Sequence, residues 1–159
     1  VPILLYRVDE RLIHGQVVLG WGMRLRPDRY LVVDDELAGS PWEQELYLLG
    51  LPEGVEALFA EVGEARGRLP DWRADARPSV LLTRGIQAMR ELARGGGMDE
   101  ARVNLGGLHH APGKERFLPY LHLGQEDLRL LDELAAEGVE VSAQDLPTSA
   151  RIPLGDLLG

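Results

Sequence analysis

The order of segments in this chain predicts an α/β fold, a single open, doubly wound domain with a mostly parallel sheet flanked by helices. Three observations carry that prediction. Short, nearly continuous apolar runs recur along the chain, as expected of strands covered on both faces. Longer amphipathic segments alternate with them, which implies right-handed crossovers between parallel strands. The length, 159 residues, suits one compact domain, so residues 1–159 are read as one unit.

Six strands are expected in order. Ile3–Val8 comes first, and Tyr30–Val33 follows, closed by Asp34-Asp35. Val55–Phe59, Ser79–Thr83, Arg102–Leu105 and Val139–Ser142 complete the set. Phe117–His122 reads as an edge strand, because Pro119 has no N–H to give a central ladder. The helices lie between them. Residues 14–25 carry Val17, Val18, Trp21 and Leu25 at helical spacing, so Trp21 is read as core. Residues 41–50 open on Ser40-Pro41, an N-cap with proline at the first helical position. Residues 85–94 and 125–137 are amphipathic, the second with Leu128, Leu131 and Leu134 on one stripe and Gly138 as its stop. A short helix is expected over 151–158. Residues 63–78, rich in Gly, Arg, Pro and Asp, read as a short helix and a surface loop.

Composition excludes several classes of function. There is no cysteine, hence no disulfide, thiolate metal site or cysteine nucleophile. The formal net charge of −9 disfavours non-specific binding to nucleic acid or anionic membrane. No apolar run approaches the roughly 20 residues a membrane helix needs. The charges near the N-terminus follow its apolar stretch, the wrong order for a secretory signal. The expected location is therefore the cytoplasm. No G-x-x-x-x-G-K-[ST] loop is present to hold a nucleoside triphosphate.

The chemistry concentrates in Arg7-Val8-Asp9-Glu10-Arg11-Leu12-Ile13-His14-Gly15-Gln16-Val17, which leaves the first strand and opens the first helix. Ligands of open α/β sheets bind beyond the carboxyl ends of strands. A loop there offers backbone N–H groups and a helix N-terminus to an anion. Into this place the sequence puts one imidazole, two guanidinium groups and two carboxylates. A neutral imidazole is a competent nucleophile toward phosphorus near neutral pH. Arginine can hold phosphoryl oxygens through charge-assisted bonds. Phosphoryl transfer asks for little beyond positioning and charge stabilisation. Asp9, being anionic, is suited to orient Arg11 or the loop rather than to touch phosphate. A surface histidine beside ordinary charged neighbours is the plain alternative.

The opening motif, with Trp21 after it, resembles the IIB component of the mannose/fructose/sorbose family of the bacterial phosphoenolpyruvate-dependent sugar phosphotransferase system. The likeness continues in Val32-Val33-Asp34-Asp35-Glu36-Leu37-Ala38 and Pro52-Glu53-Gly54-Val55. It returns in Asn104-Leu105-Gly106-Gly107-Leu108, Gly113-Lys114, Gly138-Val139-Glu140-Val141 and Leu146-Pro147. Residues 63–78 match poorly, and the second acidic position, commonly aspartate, is Glu10. The resemblance implies a sheet of about seven strands. It implies that His14 accepts a phosphoryl group on Nδ1 from a phosphohistidine of the IIA domain. The group then passes to a sugar held by the membrane proteins IIC and IID, so that the carrier visits the inner face of the membrane. Residues 9–15, among them Asp9, Glu10 and Gly15, match the active-site loop, and Arg11 matches its arginine. No cofactor is implied, and a homodimer is compatible with the family. Two rival readings share the fold: a regulatory interaction module that reports phosphorylation state, and a flavodoxin-like small-molecule binder.

Other features are weaker. By position, Asp34, Thr83 and Gly106 are candidates for the pocket rim, although Asp34-Asp35 more often cap a turn or helix. His109-His110 and His122 have no zinc spacing, so no metal is expected. Arg7, Arg11, Arg24 and Arg26 cluster in sequence, and some of them are expected to form a positive rim for IIA. Trp42 and Trp72 are candidates for a partner surface.

Overall fold

The computed structural model describes residues 2–159. Strand β1 (Ile3–Val8) leads through a loop to a π-helical turn, Gln16–Trp21, that continues as α1 (Gly22–Leu25). Then come β2 (Arg29–Val33), α2 (Asp35–Ala38), α3 (Pro41–Leu48), β3 (Glu56–Ala60), α4 (Val62–Ala74), β4 (Ser79–Thr83), α5 (Ile86–Ala93) and β5 (Arg102–Leu105). The rest is β6 (Glu115–Leu118), β7 (Leu121–Leu123), α6 (Gln125–Ala136), β8 (Glu140–Ala143), β9 (Ile152–Pro153) and α7 (Leu154–Leu158).

Seven strands form one sheet in the order β3-β2-β4-β1-β5-β8-β9. All neighbours run parallel except the edge pair β8–β9. The expected α/β architecture and strand number are those observed. Side chains alternate between two cores, as the two-residue strand period requires. From β2, Leu31 and Val33 join α4, α5 and α6 on one face, while Tyr30 and Val32 join the first helix, Leu37 and Tyr47 on the other. From β4, Leu81 takes the first face and Val80 and Leu82 the second.

This winding positions the site. The chain leaves β1 toward the first helix on one face, whereas both neighbours of β1, β4 and β5, lead to helices on the other. The chain parts at that point and opens a crevice at the carboxyl end of the central strand.

Four expectations are corrected. Most of residues 63–78 belong to α4, a helix of 13 residues that begins at Val62, rather than to a short helix and loop. Its sparse inward stripe, Ala65, Leu69 and Trp72, suffices because Arg73 also ties it down, donating to the carbonyls of Gly97 (2.7 Å) and Asp99 (3.0 Å). Trp72 is therefore core and not a partner surface. Phe117–His122 is a separate antiparallel hairpin, β6–β7, with Pro119-Tyr120 at its turn. Pro119 thus sits where no ladder bond is required of it. Residues 151–158 begin as the edge strand β9 before turning helical.

Candidate active site

Arg7 is the last but one residue of β1, and its guanidinium is completely buried. Nη1 donates to Asn104 Oδ1 and to the Gln144 carbonyl (2.8 Å), and Nη2 to the Asp145 carbonyl (3.0 Å) and Asp9 Oδ2 (3.4 Å). Trp21 covers it, with its ring centroid 5.2 Å from the guanidinium carbon, and donates its own indole N–H to the Asp145 carbonyl at 3.0 Å. Burial pushes the Arg7 pKa down, and Asp9 and Asp145 push back. Arg7 thus closes β1, β5 and the segment after β8 around one cation. It contributes nothing to an exposed positive rim.

Asp9 is the hub of the loop and is also fully buried. Oδ1 accepts from the Arg11 backbone N–H (3.1 Å) and from Arg11 Nε (3.3 Å). Oδ2 accepts from the Gly107 N–H at 3.2 Å and faces His14 Nε2 at 3.2 Å, the last off the line of a full hydrogen bond. Burial alone would raise the carboxyl pKa. The adjoining His14, the Arg11 amide and Arg7 outweigh it and hold the group well below the usual carboxylate range. Asp9 is therefore an anion, and it orients the imidazole as well as Arg11, a wider role than the sequence suggested.

The loop backbone is shaped around this hub. Asp9 N–H donates to the Thr83 carbonyl and Glu10 N–H to the Gly107 carbonyl, both at 3.0 Å. Leu12 is buried and adopts a left-handed conformation (φ 56°), which a branched side chain accepts at a cost of about 1–2 kcal/mol. That turn brings His14 back over Asp9. The His14 carbonyl accepts from Val18 N–H at 2.9 Å, and the first helix opens directly after the histidine, with Gly15 as its N-cap in open space. A π-helical turn at this point widens the helix, as often happens beside functional groups.

His14 is 15% exposed, with Nε2 as its buried nitrogen. Arg11 is 37% exposed and rests on Asp9 and on Gln16 Oε1 (2.8 Å). Glu10 accepts from the His109 backbone N–H and meets the His109 ring, which ties the rim of this loop to the segment after β5. The glycine pair there has a steric reason. A Cβ on Gly106 would collide with the Arg7 guanidinium, and one on Gly107 would lie 3.0 Å from Arg11 Nη2. The two glycines make room for the two arginines.

The remaining candidates fall outside this group. Asp34 caps α2, accepting from Leu37 N–H at 3.0 Å, and pairs with Arg84 at 3.3 Å. Thr83 is fully buried and its hydroxyl donates to the Gly85 carbonyl, so it lies beneath the loop and not on a rim. Arg24 and Arg26 end the first helix, about 15 Å of helical rise from His14, just before β2 begins and so away from the carboxyl ends of the strands. Of the four arginines from which a positive rim is expected, Arg11 stands exposed beside His14, while Arg7 is buried and Arg24 and Arg26 lie away from it. His110 stacks edge-on against His122, whose Nδ1 faces the Leu108 carbonyl. Among the described residues no group of His, Asp and Glu could hold a metal ion, and no helix is long and apolar enough to cross a membrane. Sequence reasoning missed Gln16, Gln144 and Asp145 as supports. Gln16 was visible inside the opening motif, while the two residues after β8 are joined to the site only by the fold.

The chain matches the family model described as the sorbose subfamily IIB component of the PTS system over residues 3–159. It is 33% identical over 156 residues to the N-acetylgalactosamine-specific phosphotransferase enzyme IIB component 2 of Escherichia coli K12, covering 98% of each chain. It is 29% identical to the mannose-specific EIIAB component of the same organism, with 97% of this chain matching 47% of that one. Among solved structures it resembles the N-acetylgalactosamine-specific IIB component 1 of Escherichia coli, with a TM-score of 0.87 and 29% identity over 96% of this chain and 99% of that one.

Proposed function

Because this chain belongs to the sorbose-subfamily IIB components of the sugar phosphotransferase system, we propose that His14 is its phosphoryl-carrying residue, served by Asp9 and Arg11. The chain is a phosphocarrier. It accepts a phosphoryl group from IIA and relays it to a sugar through IIC and IID. The reading takes residues 1–159 as one IIB domain.

The observation that carries the site assignment is the 3.2 Å approach of Asp9 Oδ2 to His14 Nε2. A buried carboxylate beside Nε2 favours the tautomer that keeps its proton there, which leaves the Nδ1 lone pair free to attack. In the first transfer a P–Nδ1 bond forms as the P–N bond to the donor imidazole breaks, and the electron pair returns to the donor nitrogen. In the second, a sugar hydroxyl attacks the phosphorus, its proton leaves to a base, and the P–N electron pair returns to His14. Arg11 stabilises charge on the equatorial oxygens from its half-exposed perch, while Gly15 and the first turn of the helix supply backbone N–H groups. As phosphorylated His14 gains positive character on its ring, Asp9 balances it from behind, where it does not repel the phosphate.

The regulatory reading loses ground to the phosphotransferase enzyme IIB component that matches 98% of the chain. The test is the site of attachment. Phosphorylated protein labelled with 15N-histidine should give the NMR pattern of an Nδ1 adduct with Nε2 protonated. An Nε2 adduct would contradict the role given to Asp9.

A further inference from the structure

Beside the His14 loop the surface changes character. Helix α3 and the segment after it leave Trp42 (67% exposed), Leu46 (58%) and Leu49 uncovered. Among the described residues, six of the seven exposed large apolar side chains lie on the first helix or on this α3 segment, both on one face of the sheet. Trp42, Leu46 and Tyr47 line a groove of about 420 Å³ whose far wall is Ile13. Ile13 is one residue from His14, a Cα step of about 3.8 Å. A partner that reaches His14 from the α3 side therefore also lies at the mouth of this groove.

The segments that form the groove are acidic, and Arg84, which reaches Tyr47 from beyond them, is paired with Asp34. Between Arg29 and Arg66 the chain carries no lysine, arginine or histidine. Asp35 and Glu36 are exposed on α2, Glu45 is exposed on α3, and Glu43 lines the groove itself. A second copy of this chain would set these carboxylates against their own kind. The anionic inner leaflet of a membrane would repel them as well. Cytoplasmic loops of membrane proteins, in contrast, carry an excess of lysine and arginine.

We propose that the groove formed by Ile13 and α3, with its acidic segments, is the docking surface for a basic cytoplasmic loop of the IIC/IID sugar permease, an apolar side chain of that loop inserting beside Trp42. The inference rests on the carrier function assigned above. It divides the chemistry of one histidine between two surfaces. The donor meets the Arg11 side of the loop, and the acceptor approaches along α3. An apolar anchor within a polar rim suits a transient complex, since a few buried aromatic contacts dominate binding.

Two double variants test it, Trp42→Ala with Leu46→Ala and Glu43→Lys with Glu45→Lys. Neither alters Asp9, Arg11, His14 or a hydrogen-bond partner of theirs. Each half-reaction is measured alone. One is acceptance of phosphate from phospho-IIA, and the other is delivery from the phosphorylated chain to sugar in inverted membrane vesicles carrying the cognate IIC and IID. Delivery should fall about tenfold or more at sub-saturating carrier, and the charge-reversed variant should lose less at high salt. Acceptance should stay within about twofold, which also shows that the variants fold. Undiminished delivery overturns the proposal. An equal fall in both half-reactions overturns it in favour of IIA as the occupant, and altered sedimentation of the unphosphorylated variants overturns it in favour of self-association. A wild-type chain that takes no phosphate from phospho-IIA refutes the carrier function itself.

Discussion

Arg7 and Arg11 bind the same carboxylate from opposite surroundings. The strand end around Arg7 is closed: no solvent reaches the guanidinium, and its acceptors come from three separate segments. The loop around Arg11 is open, and the side chain rests on Asp9 and Gln16 with more than a third of its surface free. The contrast separates construction from chemistry. A buried arginine whose two Nη atoms hold four acceptors fixes where Asp9 sits, while a half-exposed one keeps donors for a phosphoryl group. Two identical side chains four positions apart thus take different tasks.

The largest effect should come from breaking the closed side. Arg7→Met leaves Asp9 buried without its strand-end cation and should cost about 3–5 kcal/mol of folding stability, read from chemical denaturation. On the open side, Arg11→Ala should leave the denaturation midpoint nearly unchanged and slow single-turnover transfer from phospho-IIA by about 10²–10³. Arg11→Lys keeps the charge but not the planar fork, so its rate should fall between those of alanine and wild type.

The paired glycines sharpen the contrast at smaller magnitude. Gly106→Ala drives a methyl group into the immobile Arg7 guanidinium and should cost about 1–3 kcal/mol of stability. Gly107→Ala meets only the flexible arm of Arg11, so stability should change by less than about 1 kcal/mol while transfer slows.

The smallest expected effect is in acid. The Asp9 pKa is lower in the folded chain than its ordinary value of 3.8. Its stabilising contribution is therefore complete above that value and is lost progressively as the pH falls below it toward the folded pKa. Asp9→Asn should be less stable at neutral pH but should lack this part of the acid-induced loss, as denaturation at pH 7 and pH 3 would show.

The two regions also differ in how far they can be read from sequence. The open loop was legible nearly whole, because His14, Arg11, Asp9 and Gly15 lie within one short segment between a strand and a helix. The closed region was not. Arg7 lies in a strand read as covered on both faces, but what binds its guanidinium was not legible, since its acceptors, Asn104, Gln144 and Asp145, are remote in sequence. Thr83 passed for a rim residue on strand position alone, and its burial became apparent only with the loop folded over it. The basic rim shrank to Arg11 for a related reason, because the helix that opens after His14 carries Arg24 and Arg26 away at about 1.5 Å per residue. The fold itself was largely legible from alternating runs. Helix α4 was underestimated because its contacts are three spaced side chains and arginine-to-carbonyl bonds rather than a dense apolar stripe.

The most direct test of the central claim is intact mass after incubation with phosphoenolpyruvate, the upstream carriers and IIA, for the wild type and His14→Ala. The wild type should gain one phosphoryl group that is lost in acid and kept in alkali, as a phosphoramidate requires. His14→Ala should gain none, while His109→Ala, His110→Ala and His122→Ala label normally. A His14→Ala protein that still takes up phosphate at the wild-type rate would contradict the assignment.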